Sequence, residues 1–427
     1  MSMYDTIAEL PVVDNHTHPL ATFFTGVHKT AHMLQDRVSL FSMGHLKSRM
    51  PARDYCQITM NKKGFLEYEA ELLEYQQFRE NTATERLRAE AFRTLRRLKK
   101  EETENPPREI SSPGSESGTA ELHAISYENV FDLLHIKKAL VNDNELTLNL
   151  PVTLWVPYLD QFVFIKEYEH SIHRKDQQAQ RTDRYQTALQ NTKQALSADP
   201  ATFTQYLEFI DAALEHFKTL GCPAVKIHCA YVRSLNFEPV DRPKAQVLFN
   251  APSLNRIEAK TVQDFMMRFS LERCLAHGLA VHVHTGIGGP SPGILLANSN
   301  CCHLQNLFLD DRLRQLTFVI LHGGYPLWRE AGFLASNYAN VYLDFSWLTF
   351  LFESPLARFL EEWLDLVPYN KLLFGTDAWT PELQWCGVVN GKRMLAQTLD
   401  RGSWDKKTAL RIARAILHDN AVRLYGL

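Results

Sequence analysis

The sequence predicts an α/β protein that closes as a (β/α)8 barrel, on three observations. Eight short runs rich in Val, Leu, Ile or Phe have the composition of strands buried on both faces of a parallel sheet. Longer amphipathic stretches separate many of these runs, and alternation of strand with helix implies parallel strands. Polar turns that contain His or Gly follow several of the runs. The predicted strands cover residues 10–14, 136–141, 152–156, 224–227, 279–283, 316–321, 341–345 and 371–375.

The first strand ends in two histidines, His16 and His18. Side chains two residues apart in a strand share a face, so both imidazoles point into the barrel mouth if they lie at its carboxyl end. Two neutral imidazoles at this spacing can hold one divalent metal ion. The H-x-H pair alone is weak evidence in a chain with 17 histidines, and its position directly after a buried strand strengthens it.

Two long polar segments interrupt the alternation. Residues 1–427 are predicted to form one barrel, with a helical insertion over about 30–125 between the first and second strands and a polar helical stretch over about 166–196 after the third. Both segments leave carboxyl ends of strands, where a barrel builds its active site. They are therefore expected either to cap that site or to form decorative or oligomer-forming helices.

A helix over residues 202–220 precedes Gly221, which favours a helix C-terminus, and the fourth strand follows. That strand carries Lys226 in an apolar setting where a bare ammonium is costly to bury. The amine must lower its pKa, pair with a carboxylate, or react with carbon dioxide to become an anionic ligand. His228 shares the face of Lys226 and is a competing metal-ligand candidate.

A helix over residues 261–277 precedes Gly278, and the fifth strand then presents His282 and His284 on one face. His284 lies nearer the carboxyl end, so we favour it as a ligand and place His282 a layer below, in the core. The competing interpretation is that both are hydrogen-bonded interior histidines.

The sixth strand ends at His322 and the eighth at Asp377. Asp377 has an ordinary alternative as a helix N-cap, since Ala-Trp-Thr-Pro follows it. Taken together, however, four of eight strand ends bear a His or an Asp. Barrel enzymes take their catalytic groups from the ends of several strands, so this set predicts an active site.

Composition limits the partners. A formal charge of -3, from 46 basic and 49 acidic residues, gives no electrostatic case for nucleic acid or an anionic membrane. The first residues lack a basic segment followed by an apolar run, and no stretch approaches about 18 uninterrupted apolar residues. The seven cysteines are scattered without a C-x-x-C pair. These features predict a cytoplasmic protein that acts on a small molecule, and they are compatible with a homo-oligomer.

These residues, in this order, resemble the amidohydrolase superfamily: H-x-H after strand one, Lys on strand four, His after strands five and six, and Asp after strand eight. The segments His284-Thr-Gly, His322-Gly-Gly-Tyr-Pro and Asn340-Val-Tyr-Leu-Asp-Phe look like its amidohydrolase-2 branch. The resemblance implies a distorted (β/α)8 barrel with one or two divalent metal ions. Adenosine deaminase-like members carry a glutamate shortly after the strand-five histidine, which this chain lacks. Uronate isomerases resemble it only in the placement of the long insertion.

The resemblance also implies roles for individual residues. His16, His18 and His284 match metal ligands, and Asp377 matches the strand-eight ligand and proton acceptor. His322 matches a position that holds a second metal, or acts as an acid/base or oxyanion-stabilising group in mononuclear members. Lys226 matches the position that is carboxylated in binuclear members. Nitrogen and oxygen ligands suit zinc best, with manganese or iron as alternatives.

The favoured function is hydrolysis of an amide, a lactone or a related carbonyl compound by metal-activated water, with Asp377 moving the proton and His322 or a second metal stabilising the oxyanion. A non-oxidative decarboxylase of a small carboxylic acid would use the same residues, and a non-catalytic binding barrel is a third alternative. Four further residues near strand ends are candidates for substrate contact, with surface exposure or core packing as the ordinary explanation of each: Tyr231, Arg233, Trp347 and Trp379.

Overall fold

The computed structural model describes residues 2–19, 82–95 (without 85, 88 and 92), 127–145, 148–165, 175–288 and 294–427. Within the range 175–288, side chains are described from residue 183 onward. This part of the chain contains eight strands, all parallel to their neighbours. Each overlaps a predicted strand. The strands are β1 (Val12–Thr17), β2 (Ile136–Asn142), β3 (Thr153–Val156), β4 (Ala224–Ile227), β5 (Ala280–Val283), β6 (Phe318–Ile320), β7 (Val341–Asp344) and β8 (Leu372–Leu373).

The strands form two sheets, ordered β1-β2-β3 and β4-β5-β6-β7-β8, and backbone hydrogen bonds join the sheets at both edges. Between β3 and β4, the Lys226 N–H donates to the Pro157 carbonyl at 2.8 Å. The other junction, which we call the β8–β1 seam, lies between the end of β8 and β1. Its backbone bonds run from Asn15 N to Phe374 O (2.9 Å), from His18 N to Ala378 O (2.8 Å) and from Asp377 N to His16 O (2.7 Å).

One apolar cluster inside the ring takes a side chain from every strand, as the interior of a closed barrel requires. This cluster, the barrel floor, consists of Val13, Leu140, Leu154, Val156, Ala224, Ala280, Val319, Leu321, Tyr342 and Leu373, with Ala421, Val422, Leu424 and Tyr425 packed against it from the last helix. The predicted (β/α)8 class is confirmed.

Helices lie between the strands, and residues between 83 and 95 are also helical where they are described. The α-helices are α1 (Met3–Ala8), α2 (Tyr127–Leu133), α3 (Lys175–Ala195), α4 (Phe203–Thr219), α5 (Arg242–Asn250), α6 (Arg256–Ala276), α7 (Gln305–Phe308), α8 (Trp328–Asn337), α9 (Leu348–Leu351), α10 (Ser354–Leu366), α11 (Pro381–Arg401), α12 (Lys406–Arg414) and α13 (Asn420–Tyr425). Short 3-10 turns cover Leu159–Phe162, Cys229–Tyr231, Cys301–Leu304, Asp311–Leu313, Leu321–Gly324 and Tyr369–Lys371, and a π-turn covers Ala415–Asp419.

Capping residues explain where the two helices predicted from the sequence begin. Thr202 caps α4 through the backbone N–H of Gln205, and the Gln205 side chain accepts from the Thr202 N–H in return. Helix α6 begins at Arg256, five residues before the predicted start at 261, because Asn255 accepts from the N–H groups of Ile257 and Glu258.

The two predicted polar segments are covered unequally. The insertion over about 30–125 lies outside the described residues except for 82–95. The second stretch, predicted over about 166–196, contains α3, while residues 166–174 lie outside the description. Among the helices that the structure describes, none combines the length and apolar character needed to cross a membrane.

Candidate metal centre

Two histidines at the end of the first strand, His16 and His18, meet Asp377, which follows the last strand at the carboxyl end of the barrel. The Nε2 atoms of His16 and His18 each lie 3.1 Å from Asp377 Oδ1. The ligand atoms of these three residues all lie within 4.8 Å of one another. His16 and Asp377 are buried, and His18 is partly exposed towards the mouth. The predicted H-x-H pair and strand-eight carboxylate therefore come together.

The β8–β1 seam holds these groups in place through a second buried carboxylate, Asp14. It accepts from the Thr376 N–H at 2.9 Å, the Thr376 hydroxyl and the Gln384 side-chain amide. Burial raises the pKa of Asp14 to about 7, although the donors from Thr376 and Gln384 oppose that rise. Because Asp14 lies two residues before His16 and Thr376 directly precedes Asp377, this bonding fixes both halves of the site.

Lys226 projects from β4 towards the same three residues, and we call the space that these side chains and their neighbours border at the carboxyl end of the barrel the cavity. Its side chain is fully buried, and Nζ lies 3.1 Å from His16 Nε2. Burial lowers the pKa of Lys226 to about 7, against the attraction of Asp377. Burial alone would raise the pKa of the Asp377 carboxyl. Attraction to His322 and hydrogen bonds with His16 and His18 outweigh that effect and hold the pKa well below its usual range.

His284 and His322 complete the cavity from β5 and β6. His322 Nε2 lies 3.0 Å from His284 Nδ1, and the His322 ring centroid lies 5.6 Å from that of His16. His284 Nε2 lies 2.9 Å from the Ile287 carbonyl oxygen. His282 is separated from this group: its Nε2 meets the Tyr425 hydroxyl at 2.7 Å, at the barrel floor. The structure thus places His284 beside His322 and His282 beside Tyr425; the choice of His284 as the ligand remains a prediction.

The chemistry of this donor set fits a divalent metal ion. Imidazole nitrogens and a carboxylate oxygen are typical ligands of zinc, and manganese and iron accept the same types. The Nε2 atom of His16 lies 3.1 Å from both Asp377 Oδ1 and Lys226 Nζ, so one edge of this imidazole faces the other polar groups.

The four predicted substrate contacts differ in position. The Tyr231 ring lies 4.6 Å from that of His284, and the Trp347 ring lies 5.3 Å from that of His322, so both line the cavity. Trp379 is half-buried and its ring lies 6.0 Å from that of Phe350.

Arg233 is held in a buried network of hydrogen bonds and one ion pair. Its guanidinium forms an ion pair with Asp264, donates to Gln263 Oε1 at 3.1 Å, and donates to the carbonyls of Ser234 and Asn236 at 3.1 and 3.0 Å. These bonds occupy the guanidinium, and the side chain is 8% exposed. The geometry therefore corrects the predicted carboxylate fork: Arg233 stabilises the loop after β4.

Helix α3 contributes a residue that sequence reasoning missed. The Tyr185 hydroxyl lies 2.9 Å from His228 Nδ1, and the His228 ring lies 4.6 Å from that of Tyr231 and 5.6 Å from that of His284. Part of the polar helical stretch thus reaches the residues beside the candidate site. One tyrosine in a strongly polar helix gives no sequence signal for this contact.

Comparison with known proteins adds three findings. A family model described as amidohydrolase matches residues 191–427, more than half of the chain. Protein fluG of Emericella nidulans is 31% identical over 229 residues, which cover 51% of this chain and 26% of that protein. The chain therefore spans about a quarter of that relative's length.

Solved structures share the fold over the whole chain. A protein from Lactobacillus casei described as a metal-dependent hydrolase has a TM-score of 0.64 at 19% identity, covering 100% of this chain and 97% of its own. Uronate isomerase from Thermotoga maritima has a TM-score of 0.61 at 14% identity, covering 99% and 96%. At these identities, the likeness concerns the fold alone.

Proposed function

The chain belongs to the amidohydrolase family, as the sequence motifs predicted, and from that membership we propose that it is a metal-dependent hydrolase of an amide, a lactone or a related carbonyl compound. One observation carries the proposal. Two imidazoles and one carboxylate from opposite ends of the chain converge on a single point, with the His322 ring in the same cavity. A metal-dependent hydrolase needs this combination of ligands, proton acceptor and polar group.

The residues that would hold the ion are His16, His18 and Asp377, with His284 as a further ligand. We propose zinc as that ion, because imidazole and carboxylate donors are its usual ligands in enzymes. When bound, a divalent ion supplies Lewis acidity, which lowers the pKa of water from about 16 towards 7.

The chain's own groups would move the proton and stabilise charge. The Asp377 carboxylate, whose low pKa keeps it ionised, accepts the proton of the attacking water and passes it to the leaving group. The buried His322 ring faces the same point, where it would act as a further ligand or as a proton acceptor. Tyr231 and Trp347 cover the cavity with aromatic surface, which excludes bulk water and strengthens these electrostatic interactions.

Lys226 decides whether the centre takes one ion or two. A carbamate on its Nζ, within reach of His16, would add an anionic oxygen ligand and favour two ions. Metal analysis of protein purified without added metal, with native mass measured in bicarbonate buffer, tests this point. Two metals and a mass gain of about 44 Da would indicate a carboxylated Lys226 and a binuclear hydrolase, whereas one metal and no gain would indicate a free amine.

The function is tested with protein stripped by a chelator, reloaded with zinc, manganese or iron, and assayed against amides and lactones. We expect hydrolysis that depends on metal and is lost in the His16→Ala/His18→Ala double variant. His216→Ala, on the outer helix α4, should retain it. The same panel includes small carboxylic acids and uronates, the latter because fold neighbours are uronate isomerases. Carbon dioxide release or uronate isomerisation without hydrolysis would replace the proposal, and full activity in the double variant would refute it.

A further inference from the structure

A chain of hydrogen bonds leads from His322 away from the candidate metal centre. The His322 Nδ1 atom lies 3.1 Å from the Ser346 hydroxyl, and that hydroxyl in turn meets Asp344 Oδ1. Asp344 also accepts from the Ser346 N–H at 2.8 Å and, through Oδ2, from the Asn15 side-chain amide at 2.9 Å. All four residues are fully buried.

The acceptor at the end of this chain fixes the direction of its bonds. Both oxygens of Asp344 accept from N–H groups, Oδ1 from Ser346 and Oδ2 from Asn15, so this carboxylate is an acceptor towards the Ser346 hydroxyl as well. Ser346 must therefore donate its one hydroxyl proton to Asp344. Towards His322 the same oxygen can only accept, and the proton of that bond must be on His322 Nδ1.

A second acceptor, on the other side of the cavity, fixes the tautomer of His284. The Ile287 carbonyl oxygen, 2.9 Å from His284 Nε2, can only accept, so the proton of a neutral His284 is on Nε2. His322 Nε2 and His284 Nδ1, 3.0 Å apart, then both present lone pairs to the cavity. Two facing lone pairs repel each other in the absence of a cation and attract one when it is present.

We propose that Ser346 and Asp344 are positioning residues that hold His322 as the Nδ1–H tautomer, so that its Nε2 faces the site as a proton acceptor or ligand. Histidines that bind metals commonly donate their other N–H to a carboxylate, carbonyl or water, and here a hydroxyl relays the carboxylate. The role rests on the proposed function, but the tautomer does not. This tautomer excludes one of the roles considered for His322, that of a proton donor towards substrate, because the neutral ring then has no proton on Nε2.

Nitrogen-15 NMR of histidine-labelled, metal-free protein at pH 8 measures the tautomer directly, and loss of a signal in His322→Gln identifies the residue. We expect the wild-type His322 signal to show a protonated Nδ1 and an unprotonated Nε2. In Ser346→Ala, the Nε2–H form should become detectable. Ser336→Ala, which removes a hydroxyl that bonds to the Phe333 carbonyl on the outer helix α8, should leave the signal unchanged. A wild-type signal with the proton on Nε2 overturns the proposal, whether or not any variant folds.

Zinc affinity, measured by chelator competition, gives a second readout. We expect Ser346→Ala to weaken binding 10- to 100-fold, as removal of a group behind a ligand commonly does, with Ser336→Ala unchanged. Equal affinities in the two variants would contradict a positioning role. An Nδ1–H tautomer in a protein without hydrolytic activity would leave this inference standing and reject the proposed reaction instead.

Discussion

Three residues at the mouth of the barrel have positive φ angles, in the left-handed region: His322 (φ 60°), Trp347 (φ 67°) and Asp377 (φ 59°). Such conformations cost about 1–3 kcal/mol each for residues other than glycine, and they persist only where the surrounding structure imposes them. All three residues border one cavity, so this conformational cost arises where the side chains must point towards the same site. The sequence could not predict this, because none of the three is the glycine that marks a positive φ.

Neighbouring backbone atoms leave no space for a side chain at Gly286. Its φ is +65°, and a Cβ there would lie 2.1 Å from the Tyr325 carbonyl oxygen. Gly286→Ala should therefore lower the free energy of unfolding by more than about 2 kcal/mol, since steric overlap adds to the conformational cost. Urea unfolding measures the change. Gly221→Ala is the control, because φ is +80° there with nothing within 4 Å, and it should cost only about 1–2 kcal/mol. Equal costs would show that the contact with Tyr325 relaxes freely.

Asp160 gives a prediction on pH. Burial raises the pKa of this carboxyl to about 7 from 3.8, although the His228 N–H donates to it. Between these values the folded state keeps a proton that the unfolded state has released. The stabilisation is therefore complete below pH 4 and is lost as pH rises towards 7. In Asp160→Asn this loss is absent, so Tm should fall less between pH 5 and pH 8 than in the wild type. The variant Asp199→Asn, at an exposed position, should show the same change in Tm as the wild type. If the Asp160 carboxyl of the wild type titrated normally, Asp160→Asn would also show the wild-type change.

At the scale of elements, the strands were the most predictable part of the fold. Runs such as 224–227 and 341–345 are apolar at almost every position, because helices cover one face and the barrel interior the other. Strand β8 is the exception: residues 371–375 were predicted, but only Leu372–Leu373 pair as a strand. Beyond them the chain bends into the site to place Asp377. Tertiary contacts with β1 set that bend, and local sequence carries no sign of them.

Besides its apolar contacts with the barrel floor, the last helix, α13, places one hydroxyl between two buried polar residues. Tyr425 donates to Asn15 Oδ1 and meets His282 Nε2 at 2.7 Å. Tyr425→Phe leaves both buried groups without this partner, so the free energy of unfolding should fall by about 1–3 kcal/mol. Tyr342→Phe is a matched control in the same cluster, since the described hydrogen bonds do not include its hydroxyl. Urea unfolding compares the two variants, and equal stabilities would mean that Asn15 and His282 find other partners.

At the scale of the whole molecule, the candidate site depends on ring closure. Sequence motifs located most of its residues because chemistry restricts metal ligands to a few residue types at strand ends. They failed for Arg233, whose partners Gln263 and Asp264 lie on α6 about 30 residues later. Likewise, the roles of Ser346 and Tyr185 follow only from the folded arrangement, since serine and tyrosine occur throughout the chain.

If His16, His18 and Asp377 hold the ion, as proposed, metal binding should stabilise the entire barrel, because these residues lie at the ends of the first and last strands. A ligand that binds only the folded state adds about 2.7 kcal/mol when its free concentration is 100 times Kd. We expect buffered zinc to raise the unfolding free energy of the wild type and of His216→Ala by this amount, relative to chelated protein. The His16→Ala/His18→Ala variant should gain nothing. A zinc gain in that variant would place the ion elsewhere in the molecule.

The β8–β1 seam also bears on how the protein is made. Thr17 and Ala378, hydrogen-bonded across it, are 361 residues apart. During synthesis the first strand must remain unpaired on one edge until residue 378 has left the ribosome, a long exposure for an unpaired strand edge. The candidate ligands His16 and His18 remain apart from Asp377 until then. On the proposed function, the ion could bind only after this late step, and a chain whose translation stops before Asp377 could not complete the proposed ligand set.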